Sequence, residues 1–485
     1  MVNLPTVDGD AVVVGSGPNG LAAAIRLAQA GLTVTVLERA DRAGGGTRTS
    51  ELTLPGVLHD DCSAFHPLGL LSPYLSTLGL HEHGLRWAWP EVDLAHPLDD
   101  GTAAVLSRDM GRTVASLGED GERWRAMFEP LARDFDLLAD DVLGPVVHVP
   151  HHPLLLARFG VNAALPATWL VRRFATEQAR ALFMGIAAHA FHRLDTPLSS
   201  AVGLLLGTAG HRAGWPVAVG GSQAIAAAMV SKLESLGGRV RLGVDVLDLD
   251  QLVEVHGSAP RALVLDTSPD AAVRILGERM PARVRRALGR FRYGSAAVKV
   301  DVAVEGDVPW TAPDARRAGT LHLGGTAAEV AQVERETNRG VMPRRPFVLV
   351  GQQHLADPSR SRGGVNPLWA YAHVPRGYGG DATEATLDQV ERFAPGFRER
   401  VVAVHSRGPA GLQEHDPNYV DGDIGVGANS PLQLAFRPRP ALDPYRLGLR
   451  GVALCSSATP PGGGVHGMCG ANAAESVLAQ ISAGH

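Results

Sequence analysis

The first stretch with a clear pattern is an apolar run, Ala11-Val12-Val13-Val14, which breaks abruptly into the turn Gly15-Ser16-Gly17-Pro18-Asn19-Gly20. A short run with no polar alternation predicts a strand, Asp10–Val14, covered on both faces as in a parallel sheet. Leu21–Ala30 is rich in Ala and Leu, with Leu21 and Ile25 one helical turn apart, and Gly31 stands where a helix ends. Thr33–Leu37 alternates β-branched and apolar residues, a second strand, and Glu38 follows it directly. The segment is a complete strand–turn–helix–strand unit of about 30 residues.

A second glycine turn, Gly44-Gly45-Gly46-Thr47-Arg48-Thr49, comes next. From about residue 69 to 180 the pattern predicts helices and loops broken by prolines. Gly220-Gly221-Ser222-Gln223 leads into a helix that reaches about Leu236, and Arg239–Leu249 and Ala262–Asp266 predict strands. Val298, Val300, Val302 and Val304 alternate as in a strand with one exposed face. With Leu321–Leu323, Phe347–Val350 and Leu368–His373 it suggests an antiparallel sheet. Gly451–Ser482 predicts a strand, a glycine turn and a helix from Met468. The expected fold is α/β: a Rossmann-like FAD-binding domain interleaved with a mixed α+β substrate domain of antiparallel sheet plus helices. Its expected pieces are 1–75, 206–285 and 411–485 for the cofactor domain, 76–205 for a helical substrate or lid region, and 286–410 for the substrate sheet.

Composition narrows the class. The 485 residues are 45% hydrophobic and 20% charged, which suits a folded multidomain chain. A net charge of −5 and 5% aromatics argue against a nucleic-acid partner. Cys62, Cys455 and Cys469 form neither a disulfide framework nor a Cys-x-x-Cys pair. Met1–Asp10 lacks the pattern of a secretory signal, so a cytoplasmic location is expected. Val142–Ala157 is the nearest approach to a membrane segment; three prolines interrupt it, leaving peripheral membrane contact as the open option.

The first turn carries the chemistry. Gly-x-Gly-x-x-Gly after a strand, opening a helix, with an acid 18 residues after Gly20, is a dinucleotide fingerprint in its full context. Gly15 allows the tight turn, Gly17 leaves room for the pyrophosphate, and Gly20 lets helix and strand pack closely. Pro18 and Asn19 open the helix, whose N-terminus favours phosphate. Glu38 can accept from both ribose hydroxyls and repels a 2′-phosphate. The second turn, with Gly45, Gly46, Thr47 and Arg48, suits a cofactor longer than a nicotinamide dinucleotide, and so points to FAD. Near the C-terminus, Gly464-Val465-His466-Gly467-Met468 feeds a helix. Only 18 residues follow Gly467, too few for a second βαβ unit, so this turn is expected to face a flavin.

Gly15–Gly20, Glu38-Arg39, Gly44–Arg48, and the Pro461–Gly467 turn with Asn472-Ala473-Ala474 resemble the FAD-dependent phytoene dehydrogenase-like oxidoreductases, related to carotenoid desaturases and, more distantly, to amine oxidases. Gly44-Gly45-Gly46-Thr47-Arg48 stands where carotenoid desaturases show Gly-Gly-Arg, and His59–Pro67 looks more like the broader phytoene dehydrogenase-related group. The resemblance implies that Arg39 lies by the adenosine, that Val246, in a Val244–Val246 strand, contacts the adenine, and that the 464–468 backbone faces the flavin. It also implies an apolar isoprenoid or lipid-like substrate, dehydrogenated by hydride transfer to flavin N5; the low-charge stretch Leu154–Leu170 is expected to line a tunnel or touch a bilayer.

Other clusters carry less chemistry. His148, His151 and His152 lack an acid or a regular spacing to complete a metal site, and no metal is expected. His189 and His192 read as packed or exposed histidines. His466, in the turn expected to meet the flavin, is the candidate acid/base. Cys455 and Cys469 read as apolar fillers. With one fingerprint and no redox cysteine pair, electrons are expected to pass to oxygen or a quinone. The alternatives are a flavin amine or small-molecule oxidase, which predicts an aromatic cage that this chain's few aromatics count against, a redox-neutral flavin isomerase, and a non-catalytic FAD-stabilised scaffold.

Overall fold

The computed structural model describes residues 10–257 and 259–482; the expectation about a secretory signal rests almost wholly on residues before these. A five-stranded parallel sheet runs in the order Val452–Leu454, Ala262–Leu265, Asp10–Val14, Thr33–Leu37, Arg239–Arg241. Strands from the two ends and the middle of the chain thus make one sheet. The apolar residues of its first four strands are buried on both faces, as the unalternating pattern requires, while the edge strand Arg239–Arg241 is partly exposed. The helix Pro18–Gln29 starts with Pro at its first position and packs on the terminal helix Met468–Ser482. That contact depends on Gly470, where a Cβ would stand 1.8 Å from the Asn19 carbonyl oxygen.

The second sheet has seven strands in the order Val401–Arg407, Ala296–Glu305, Val365–Val374, Val348–Gly351, Ala318–Leu323, Val92–Pro97, Ala103–Leu106. All neighbours are antiparallel except Ala318–Leu323 with Val92–Pro97. Three expectations need correction here. The region 76–205 is not purely helical: it lends this sheet the strands Val92–Pro97 and Ala103–Leu106. Every residue of the first is buried, so it shows no alternation by which to recognise it. The strand Ala296–Glu305 has no exposed face: Lys299 and Asp301 are buried and form an ion pair, with the Lys299 ammonium 5.1 Å from the Trp369 ring centre. Residues 242–247 form no strand, and only Arg239–Arg241 joins the sheet.

A buried ion pair joins the two parts. Asp60 Oδ2 lies 2.5 Å from Arg360 Nη1, while Asp60 Oδ1 accepts the Ser222 N–H and the Thr49 hydroxyl. Arg360 also donates to the Ala218 carbonyl at 2.8 Å. Both charges are fully enclosed, and each oxygen is matched by a donor, the condition under which a buried pair is tolerated. No single helix among the described residues is long and apolar enough to cross a membrane.

Candidate functional site

The first glycine turn closes around a residue the sequence reading did not single out. Gly15 has φ +98°, and a Cβ there would lie 2.6 Å from the Asp266 carbonyl oxygen. At Gly17 a Cβ would lie 2.7 Å from Asp266 Oδ2; at Gly20 it would lie 2.3 Å from the Gly15 carbonyl oxygen and 2.8 Å from Asp266 Oδ2. The expectation assigned the bare Gly17 to the pyrophosphate; in the structure the space its Cβ would take belongs to Asp266. This residue follows the neighbouring strand Ala262–Leu265 and accepts the Gly20 N–H at 2.9 Å. Burial pushes the Asp266 carboxyl up to about 7, the Gly20 amide opposes the rise, and the charges of Asp416 and Glu38 add to it.

Glu38 is fixed from below. Its Oε2 accepts the Ser16 N–H at 2.9 Å and the Ser16 hydroxyl at 2.5 Å, and its Oε1 accepts the Ala40 N–H at 2.8 Å. The second glycine turn lies against the first: the Gly44 N–H donates to the Ser16 carbonyl at 3.1 Å, and a Cβ on Gly45 would be 3.1 Å from the Gly17 Cα. Arg48 is buried and spends its guanidinium on the carbonyls of Gly45 and His415. Arg39 reaches the Glu414 carbonyl at 2.9 Å.

One cavity of about 670 Å³ collects these parts. Its lining includes Gly15, Gly17, Pro18, Asn19, Glu38, Arg39, Gly45, Gly46, Thr47, Arg48, Val246, Gly464, Val465 and His466. Gly20, Gly467 and Met468 are not part of the lining. Gly20 packs inward on Gly15 and Asp266, and Gly467 packs on Leu75 and Ala22. Val246 reaches the cavity from an irregular segment beside Glu38, where the Val244 N–H donates to the Glu38 carbonyl.

His466 is corrected as a catalytic candidate. Its Nδ1 accepts the Met468 N–H at 3.1 Å and its Nε2 faces the Gly462 carbonyl at 3.2 Å. Both ring nitrogens brace their own turn, leaving neither for a substrate proton. Burial lowers its pKa to about 4, against the opposing pull of the Gly462 and Gly463 carbonyls.

Two further walls complete the cavity; the sequence reading missed the first, and the second includes Leu156, Phe159 and Ala163 of the stretch 154–170 that it expected to line a tunnel. One is the polar loop around His415-Asp416-Pro417-Asn418-Tyr419, which lines the cavity beside the glycine turns. A Cβ on Gly46 would lie 2.2 Å from the Tyr419 hydroxyl, so the loop packs directly on the second turn. Its run of Asp, Pro, Asn and Gly was the available signal. The other wall is an apolar chamber made by Leu143, Leu156, Phe159, Ala163, Leu198 and Leu205 from the inserted helices. Opposite these, Thr320, Leu349, Trp369 and Tyr371 project from the seven-stranded sheet. Phe191 stacks on Tyr371 with ring centres 5.7 Å apart. His189 also lines this chamber, whereas His192 does not.

The histidines at 148–152 have an acid after all. Asp141, Nε2 of His148 and Nδ1 of His151 bring three ligand-type atoms within 4.8 Å. The carboxylate is already occupied: it accepts from His148 and from the backbone N–H groups of His151 and His152, an arrangement that ties down the loop before the helix Pro153–Ala163. Cys455 and Cys469 are fully buried.

The family described as an NAD(P)-binding Rossmann-like domain matches residues 13–74, the span of both glycine turns. Over 558 aligned positions the chain is 26% identical to pyridine nucleotide-disulfide oxidoreductase domain-containing protein 2 of Mus musculus, covering 97% of this chain and 94% of that protein. The chain is thus similar along most of its length to a protein named as an oxidoreductase-domain protein, and its first 74 residues hold the match to a dinucleotide-binding domain. A shorter match, 30% identical over 139 residues, relates 29% of this chain to 25% of a limonene dehydrogenase polypeptide from Castellaniella defragrans. Among solved structures, putrescine oxidase bound to putrescine superposes with a TM-score of 0.60 over 99% of this chain and all of that one, at 19% identity. At that identity the likeness is one of fold.

The residues present suit a flavin dinucleotide. The cavity runs from an acid at the end of the second strand, past two touching glycine turns, to the Gly463–Val465 backbone and the apolar chamber. Asn19, buried in the first turn of the helix Pro18–Gln29, has an Oδ1 with no partner among the described residues. An unmatched buried acceptor beside a polar cleft is a place where a ligand donor or a water would be accommodated.

Proposed function

We propose that the chain is an FAD-dependent oxidoreductase that dehydrogenates an apolar, isoprenoid or lipid-like substrate, as the resemblance to phytoene dehydrogenase-like enzymes implies. The observation that carries this reading is the continuity of one cavity from the glycine turns into a chamber walled by aliphatic side chains. Bound FAD would supply a two-electron acceptor, chemistry that no side chain offers. Glu38, locked by Ser16 and Ala40, would hold the ribose hydroxyls. The Gly44–Arg48 turn would offer backbone groups along the middle of the cofactor, and the Gly464–Val465 backbone would meet its ring. Leu143, Leu156, Phe159 and their neighbours would exclude water from the reacting carbons.

The electron acceptor in this reading is oxygen or a quinone. Peripheral membrane contact is part of the same proposal. Val146 both lines the cavity and is exposed, and Val149 and Leu154 nearby are 87% and 88% exposed. Apolar side chains standing out beside a cavity-lining residue suit entry of a substrate from a lipid surface.

A second reading, an amine oxidase, is kept by one observation. Of the chain's few aromatics, Phe191, Trp369 and Tyr371 gather in the chamber, with Trp369 and Tyr371 edge to face at 5.0 Å.

The test is a visible spectrum of the purified protein, followed by anaerobic mixing with limonene, a fatty acyl ester, putrescine and cyclohexylamine. The expected result is a bound flavin spectrum bleached by the isoprenoid or lipid probe. Bleaching by the amines alone would establish the second reading. A colourless protein that takes up no FAD would defeat both.

A further inference from the structure

Four histidines, His96, His189, His322 and His373, gather behind the substrate chamber, and one of them faces it. His189 caps the helix Glu177–Ala188, lines the cavity, and stands edge to face with Trp215 at 5.3 Å. Its Nε2 is 2.9 Å from Nε2 of His322, which is fully buried on the strand Ala318–Leu323. One of these two nitrogens must donate and the other accept.

The third histidine decides which. Nε2 of His96 lies 2.7 Å from the Gly325 carbonyl, so it carries the proton, and Nδ1 of His96 is a bare lone pair. Nδ1 of His96 and Nδ1 of His322 converge on Gly185: a Cβ at that glycine would lie 2.6 Å from the first and 2.7 Å from the second. Neither has a hydrogen-bond partner among the described residues. Two lone pairs turned toward one point repel; a proton on His322 Nδ1 relieves this. His322 Nε2 is then the acceptor, His189 Nε2 the donor, and His189 Nδ1 the free lone pair.

We propose that the His189–His322 pair is the proton-accepting wall of the substrate chamber, with His189 Nδ1 taking the proton the substrate releases and His322 holding the accepting tautomer. The proposal rests on the dehydrogenase reading above. A dehydrogenated substrate loses two hydrogens. One leaves as hydride, carrying two electrons to a flavin dinucleotide, which is reduced. The other leaves as a proton: its bonding pair stays on the substrate as the new π bond, and an N–H bond forms at His189 Nδ1. His189 would be a catalytic residue and His322 a positioning residue.

Burial lowers the pKa of His189 to about 3, with His373 adding to the shift, and burial with the neighbouring His189, His96 and His373 holds that of His322 well below the usual imidazole range. The groups around them are His96, His373 with its Nδ1 2.6 Å from Glu334, and the Glu329–Arg392 ion pair beside Gly325. A low pKa does not disqualify the base. It measures the cost of creating a charge in a dry site, whereas a proton passed from a buried cation to a buried imidazole moves a charge already there.

The test compares two lipophilic cations on the purified full-length protein supplied with FAD: N,N-dimethyldodecylammonium, which has one N–H, and dodecyltrimethylammonium, which has none. Calorimetric titration below their micelle concentrations should show at least tenfold tighter binding of the first. His189→Leu should abolish the preference, His189→Asn should restore part of it, and His322→Gln should weaken it, with unfolding temperatures recorded for each. An absent preference in the wild type, or one that survives in folded His189→Leu, overturns the proposal; one that His322→Gln leaves unchanged removes the positioning role. Failure to bind flavin would sink the dehydrogenase reading, while the comparison of the two cations would still decide the pair.

Discussion

The two ends of the cavity are built from different materials. The dinucleotide end is mostly main chain: Gly15, Gly17, Gly45 and Gly464 bring bare backbone to the cleft, and one of its acids, Glu38, is braced by Ser16 and Ala40. The substrate end is mostly side chain, contributed by the inserted helices and by sheet strands that lie far along the chain from them. A backbone site is written in local sequence, because only glycine tolerates the required dihedrals and close approaches. A side-chain site depends on which faces the tertiary fold turns inward. The Gly185 contact shows that the substrate end also contains one backbone-tight point, where a helix closes on two imidazoles.

The contrast can be broken at its tightest place first. Gly20→Ala puts a methyl 2.3 Å from a backbone oxygen that has no rotamer to escape into. It should cost about 3 kcal/mol of stability and strip the protein of bound flavin, measured by denaturant titration and by flavin absorbance per chain. Retained flavin at normal stability would show that the loop yields more easily than its packing implies. Gly185→Ala is the matching change at the substrate end. Its methyl meets ring nitrogens rather than backbone, so about 2 kcal/mol is expected, with flavin content unchanged. A loss of flavin there would mean that the two ends are one cooperative unit.

The smallest expected effect concerns Asp266. Its folded pKa is raised from 3.8 to about 7, so between these values the folded chain binds a proton that the unfolded chain does not. Stability from this group therefore falls as pH rises, by about 1.4 kcal/mol between pH 6 and 8. Asp266→Asn keeps an acceptor for the Gly20 N–H and should remove that part of the slope in denaturant titrations at the two pH values. An unchanged slope would assign the pH dependence to other groups.

The fingerprint, the second turn and Glu38 were legible because each lies within a few residues of the element it serves. Asp266 was not recognised, although it is the last residue of a predicted strand, because its role is set by a contact 246 positions away. His466 was read from its place in the turn, but ring orientation is a tertiary outcome, and the ring turned back on Gly462 and Met468. Val246 was placed at the cavity through an expected strand, and it reaches the cavity without one. The strand Val92–Pro97 escaped notice because both of its faces are buried. His189 looked like any packed or exposed histidine until His322 and His96 were brought beside it.

By itself the sequence determined the glycine turns, the acid that follows the second strand, and the class of fold these open, since those depend on local backbone freedom and on apolar runs long enough to be strands. The tertiary structure decided which carboxylate sits under the loop, which helices wall the chamber, and which imidazole keeps a free nitrogen. Those outcomes arise from packing between segments far apart in the chain, where burial, the direction of a ring and the sharing of a single proton are settled together.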